Sequence, residues 1–229
     1  MDETTEAADH LRAIRSLMER ATIYRAISAP TALIGGITAL VTSCWLGWSA
    51  TSGAQAEQFT AGFSAREFAP AWLLALAITL AANTYFIWRE AQRAGRPFVS
   101  PGLRLVLRSL LPVIFVAAIV SFIVWRDPVQ RTEDSFLLAL SWIGFYGLAL
   151  LATMNVAPRS LSVLGWSFVF AATFWLLLLT SPNFRYADEL HGKLGAVVPM
   201  GITFGLFHLV YAACTWGRRA PEAEPLATA

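Results

Sequence analysis

The sequence predicts an all-α, polytopic membrane protein: a bundle of six transmembrane helices preceded by an N-terminal amphipathic cytoplasmic helix. Three observations predict it. Of 229 residues, 56% are hydrophobic and only 14% charged, against roughly 25% charged in an average soluble domain. The apolar residues gather into six runs, each near the ~20 residues that a helix needs to cross ~30 Å of hydrocarbon. All 15 acidic residues lie outside those runs. A soluble chain of this composition would lack the polar surface to stay dispersed, so the bilayer is its natural solvent. The net charge is +2, and the basic residues are scattered arginines rather than the dense runs that suit nucleic acid.

Residues 1–25 form the first element. Ala7, Leu11, Ile14, Met18 and Ala21 recur at spacings of four and three, which lines one face of a helix. Asp2, Glu3, Glu6 and Asp9 fall in its first turns and Arg12, Arg15, Arg20 and Arg25 later, the order that a helix dipole favours. Such a helix can lie among lipid headgroups or pack on its own bundle. It can also present Arg12, Arg15, Glu19 and Arg20 to a cytoplasmic or membrane protein partner. Ala54-Gln-Ala56 has the small-x-small form of a signal cleavage site. The long, partly acidic segment before the apolar run argues instead for an uncleaved first span.

The six runs span residues 26–48, 68–88, 105–125, 135–154, 160–180 and 196–216, and together make one transmembrane domain over 26–216. Loops rich in Gly, Pro, Ser and charge separate them. Between the fourth and fifth runs, Pro158 and Arg159 mark the turn. Residues 217–229, rich in Pro, Ala and Glu, read as a disordered cytoplasmic tail.

Orientation follows from the basic residues. With the N-terminus inside, Arg12, Arg15, Arg20, Arg25, Arg89, Arg93, Arg96, Arg104, Arg108, Arg159, Arg218 and Arg219 fall on the cytoplasmic side. Only Arg66, Arg126, Arg131, Arg185 and Lys193 fall outside. Both termini are therefore expected in the cytoplasm. Trp45, Trp48, Trp72, Trp125 and Trp175 are expected in the outer aromatic belt and Trp88 and Trp216 in the inner one, while Trp142 and Trp166 read as packing residues. Cys44 and Cys214 fall at opposite ends of their spans, too far apart for a disulfide, and read as small buried hydrophobes.

Candidate chemistry is sparse. Proton-coupled carriers place a titrating carboxylate mid-membrane, and here every carboxylate lies outside the runs. His208 is the one titratable group deep in a span, and Tyr211, three residues on, shares its face. With Asn83 these form a candidate ligand site, although neutral His and Asn also serve as hydrogen-bonding glue between helices. Asp188, Glu189 and His191 lie close together in the last outer loop, which reads as a solvated loop rather than a metal site. No HExxH, GxSxG, P-loop or CxxC pattern occurs, and no metal or cofactor is implied. Gly201-xxx-Gly205 and Gly35-xxx-Ala39-xxx-Ser43 are small-residue stripes for close helix packing, within the monomer or in a homo-oligomer. Pro112 and Pro199 are expected to kink their helices.

The segment LRAIRSLMERATIYRAISAPTALIGG and the later FGLFHLVYA resemble a group of small bacterial inner-membrane proteins to which no activity is attached. The resemblance implies a multi-span helical fold in the bacterial inner membrane and assigns no site residues. The leading expectation is a non-enzymatic membrane component that binds a partner or a ligand. A facilitator for a small neutral or apolar solute, lined by Asn83, His208 and Tyr211, is the alternative. An intramembrane enzyme or metal protein is the third reading.

Overall fold

The computed structural model of the chain describes residues 29–52, 62–93, 95, 97–99, 101–129, 132–154, 158–180 and 194–216. The regular structure among these residues is helical throughout: α1 Ala29–Thr51, α2 Ala65–Arg93, α3 Pro101–Arg126, α4 Thr132–Ala152, α5 Arg159–Thr180 and α6 Val197–Trp216. All six are long and apolar enough to cross a membrane. Each coincides with one predicted run to within a few residues. The segment bearing Arg12, Arg15, Glu19 and Arg20, the loop bearing Asp188, Glu189 and His191, and the tail 217–229 lie outside the described residues.

Local chemistry sets the helix ends. Ser64 and Glu67 form a capping box before α2: both the backbone N–H and the hydroxyl of Ser64 donate to Glu67 Oε2 at 2.8 Å. Past the other end of α2, Gly95 has a φ of +58° and its N–H donates to the Gln92 carbonyl at 3.2 Å, a left-handed stop that suits glycine. Arg66 ties α2 to the far end of α3. Its Nε donates to the Trp125 carbonyl at 3.2 Å and its Nη2 to the Asp127 carbonyl at 3.3 Å, covering acceptors that a helix C-terminus leaves open.

In the bundle α1 packs between α2 and α6, while α4 packs on α5, α3, α2 and the start of α6. Lipid tails are as apolar as leucine, so close backbone approach, rather than hydrophobicity, decides which helices pair. Glycines mark those approaches. A Cβ on Gly36 would lie 3.0 Å from the Gly205 carbonyl oxygen, and one on Gly147 would lie 2.9 Å from the Gly165 carbonyl oxygen. Gly201 faces Ser43 and Gly205 faces Leu40. The small-residue stripe of α6 is therefore buried against α1 in the same chain, which removes Gly201 and Gly205 as a surface for a homo-oligomer. α3 is the outlier: 6% of its most apolar stretch is buried, against 44% for α6.

Several sequence expectations shift once faces are known. Cys44 and Cys214 are free and exposed on the bundle surface rather than buried. Trp166 is exposed and stacks on Phe170 along α5, so it faces lipid. Trp72 is buried against Phe68 and Phe204 instead of joining the interfacial belt. Periodicity in an all-apolar helix carries no inside–outside contrast, which is why those faces were unreadable. Pro112 lies within the continuous α3, whereas Pro199 precedes a change of helix type described next.

Candidate functional site

α6 is not one regular helix. Val197–Met200 is α-helical, Gly201–Phe207 is a π-helix, and His208–Trp216 is α-helical again. A π-segment closes its hydrogen bonds one residue later than an α-helix and is a rare form that recurs at functional sites. Here Pro199 supplies no N–H, and Gly201 and Gly205 add no Cβ where α6 meets α1. Buried Thr203 donates its hydroxyl to the Pro199 carbonyl at 2.7 Å. His208 follows directly, and its position on α6 is set by this widened turn.

Across the bundle, Gly144 and Gly147 of α4 meet Ala172 and Gly165 of α5 at close range. Tyr146, between those two α4 glycines, thereby packs on Phe168 of α5 with ring centroids 4.7 Å apart. It also meets Phe204 of α6 at 5.0 Å. Its hydroxyl lies 2.8 Å from His208 Nε2, joining α4 to α6. Phe168 stands edge-on to the imidazole at 5.5 Å, and Phe204 lies nearly parallel to it, 10° between planes at 6.1 Å. The result is a histidine–tyrosine pair held in an aromatic box.

The proton count of this pair is informative. A neutral imidazole has one N–H and one bare nitrogen, and a phenol has one O–H. If Tyr146 donates to Nε2, the proton of His208 sits on Nδ1. If Nε2 carries the proton and donates to Tyr146, Nδ1 is a bare acceptor. In both tautomers His208 Nδ1 is left without a side-chain partner among the described residues, facing the Thr203 and Phe204 carbonyls one turn back on its own helix.

Other hydroxyls in the bundle satisfy themselves locally. Thr38, Thr42, Thr79, Ser121, Thr173 and Thr215 each bond the carbonyl four residues back in their own helix. Ser121 also accepts from Trp142 Nε1 at 2.8 Å, which makes Trp142 the packing residue expected. Four further atoms, Thr31 Oγ1, Ser43 Oγ, Trp72 Nε1 and Asn83 Oδ1, are buried without a partner among the described residues. A Cβ on Gly35 of α1 would lie 3.1 Å from the Thr79 side chain of α2. Thr31 and Asn83 each lie one turn from that contact toward the same end of the bundle.

The three residues singled out in the sequence are thus divided. His208 pairs with Tyr146. Tyr211 packs at the same end of α6, against both the main core and the small cluster of Ala29, Ala32 and Ala212. Asn83 stands on the α2 row that meets α1. Tyr146 itself went unnoticed in the sequence, although a polar aromatic between two glycines in mid-span, Gly144-Phe145-Tyr146-Gly147, is the signal that points to it. Among the described residues no three His, Cys, Asp or Glu gather as a metal site would need. No family model, curated protein or solved structure matches the chain.

Proposed function

We propose that this chain is a multi-pass protein of the bacterial inner membrane, with both termini cytoplasmic, that works by non-covalent binding rather than catalysis. The bound species is a small neutral molecule that hydrogen-bonds to His208 inside the bundle. One observation carries the reading: the His208 imidazole is buried in the aromatic box, and Tyr146 is its one side-chain hydrogen-bond partner among the described residues. A buried polar group left unbonded costs about 1–3 kcal/mol in proteins, and hydrocarbon offers it no water. A guest with one complementary donor or acceptor recovers the part of that cost that the Thr203 and Phe204 carbonyls do not already meet. The orientation is supported by the basic residues, of which Arg89, Arg93, Arg104, Arg108 and Arg159 stand at one end of the bundle and Arg66 and Arg126 at the other.

The test is to purify the protein from its own membranes in mild detergent and compare small molecules released on denaturation from wild type and from His208→Phe. A near-stoichiometric neutral compound present in wild type and lost in the variant is the expected result. The reading fails if wild type releases none, or if His208→Phe releases the same compound at the same yield.

A further inference from the structure

Four arginines stand where α2 ends and α3 begins. Arg89 and Arg93 are one turn apart on α2, and Arg104 and Arg108 are one turn apart on α3. All four are exposed. None makes a hydrogen bond or ion pair with the protein among the described residues. Glu90 is the one acid on this part of α2, and it lies about 100° round the helix from Arg89 in a half-buried position.

Depth makes this more than a charged helix end. α2 and α3 are successive helices joined by residues 94–100, so they run in opposite directions. At 1.5 Å per residue, Arg89 and Arg104 both lie about 5 Å in from their helix ends, and Arg108 about 10 Å in. Arg108 is then level with the aromatic pair Tyr85 and Trp88 of α2, both exposed, with ring centroids 6.1 Å apart. Aromatics of this kind settle at the headgroup level. Beyond Arg108 the exposed face of α3 continues as Leu111 and Phe115, and almost none of this helix is covered by protein. A guanidinium at that depth extends to the headgroup level, where an anion can pair with it, and the apolar strip below it can take chains.

We propose that this α2–α3 face is a binding site for an anionic phospholipid. Arg104 and Arg108 hold the headgroup phosphate, Arg89 and Arg93 add to the field, and the acyl chains lie along Leu111 and Phe115. Charge complementarity and the unbroken run from arginines to lipid-facing apolar residues fix the occupant. A zwitterionic lipid brings its own ammonium into this field and fits poorly. This site is independent of the His208 pair.

The experiment is native mass spectrometry of the full-length protein in detergent, titrated with phosphatidylglycerol, phosphatidylcholine or inorganic phosphate. Wild type is expected to bind phosphatidylglycerol at least tenfold tighter than phosphatidylcholine, a threshold inside the gain of about 25-fold from two arginines near the membrane surface. Arg104→Gln/Arg108→Gln is expected to lose about 25-fold, roughly fivefold for each charge. Arg104→Lys/Arg108→Lys, which keeps the charge, retains binding within about threefold, and Arg126→Gln, at the opposite end of α3, leaves it unchanged. Equal affinity for the two lipids overturns the proposal, as does full binding by the double glutamine variant. So does displacement of phosphatidylglycerol by equimolar inorganic phosphate, which would mark a site for the free anion. A dimer that dissolves in the glutamine variant, with lipid binding unaffected, would assign the face to a second copy and also overturn it.

Discussion

Tyr146 and His208 are coupled by one hydrogen bond of 2.8 Å in the interior of the bundle. Removing the phenol oxygen in Tyr146→Phe leaves His208 Nε2 without its partner, and is expected to lower stability by about 1–2 kcal/mol. His208→Phe removes one partner and leaves the Tyr146 hydroxyl bare. In a double-mutant cycle read by thermal unfolding in detergent, the two changes together should cost less than their sum by about 0.5–2 kcal/mol. Strict additivity would show that the hydrogen bond contributes nothing. Glycines give a second residue-level contrast. Gly147→Ala drives a Cβ to 2.9 Å from a backbone oxygen that cannot step aside, whereas at Gly47 the nearest atom is the end of the Leu194 side chain at 3.6 Å. The first should destabilise by about 1–3 kcal/mol, and the second should stay within about 0.5 kcal/mol. Similar melting temperatures for the two would contradict the close α4–α5 approach.

At the scale of elements, α6 and α3 behave oppositely. The π-segment of α6 depends on Thr203 covering the Pro199 carbonyl at 2.7 Å. Thr203→Val keeps the shape and removes the donor, so α6 should lose about 1 kcal/mol and amide exchange should quicken over 199–208. An exchange pattern identical to wild type would mean that the turn holds without it. α3 has little protein to lean on, and its far end is tied down by Arg66. Arg66→Ala should raise exchange at residues 125–129 while leaving α5 and α6 untouched, and uniform change across the bundle would refute a local tie. These two helices also show what the sequence could and could not reveal. Length and hydropathy set all six spans, because crossing ~30 Å of hydrocarbon demands ~20 apolar residues whatever the fold. They say nothing of rank within the bundle. The most apolar helix, α3, is the least buried, since lipid and protein interior are equally good solvents for leucine. His208 stood out as the sole ionisable residue deep in a span. Its partner Tyr146 did not, because pairing depends on which α4 face meets α6, and glycine approach rather than periodicity fixes that.

For the whole molecule, binding and transport make different demands. A conduit needs its polar groups on one continuous path, and Asn83, on the α2 row that meets α1, stands apart from His208 and Tyr211 on α6. Proteoliposomes holding the protein are therefore expected to shrink in a glycerol gradient no faster than empty vesicles, as followed by stopped-flow light scattering. A protein-dependent rate abolished by His208→Phe would restore the facilitator reading. The N-terminal segment calls for its own measurement. If Arg12, Arg15, Glu19 and Arg20 present a surface to a partner, deleting residues 2–22 should change the set of proteins recovered by pull-down, and an unchanged set would leave that segment without such a role.

The seam between α1 and α6 joins the first described helix to the last. Gly36, Leu40 and Ser43 meet Leu209, Gly205 and Gly201, so among the described helices this seam is completed only when α6 has been made. At about 5–20 residues per second, the roughly 160 residues between them keep α1 waiting on the order of ten seconds or more. During that interval its glycine notch and the lone Ser43 hydroxyl are open to lipid or to whatever insertion factor attends the nascent chain. A product that stops after α5 keeps that notch open, because it is α6 that covers Gly36 and Ser43 at this seam.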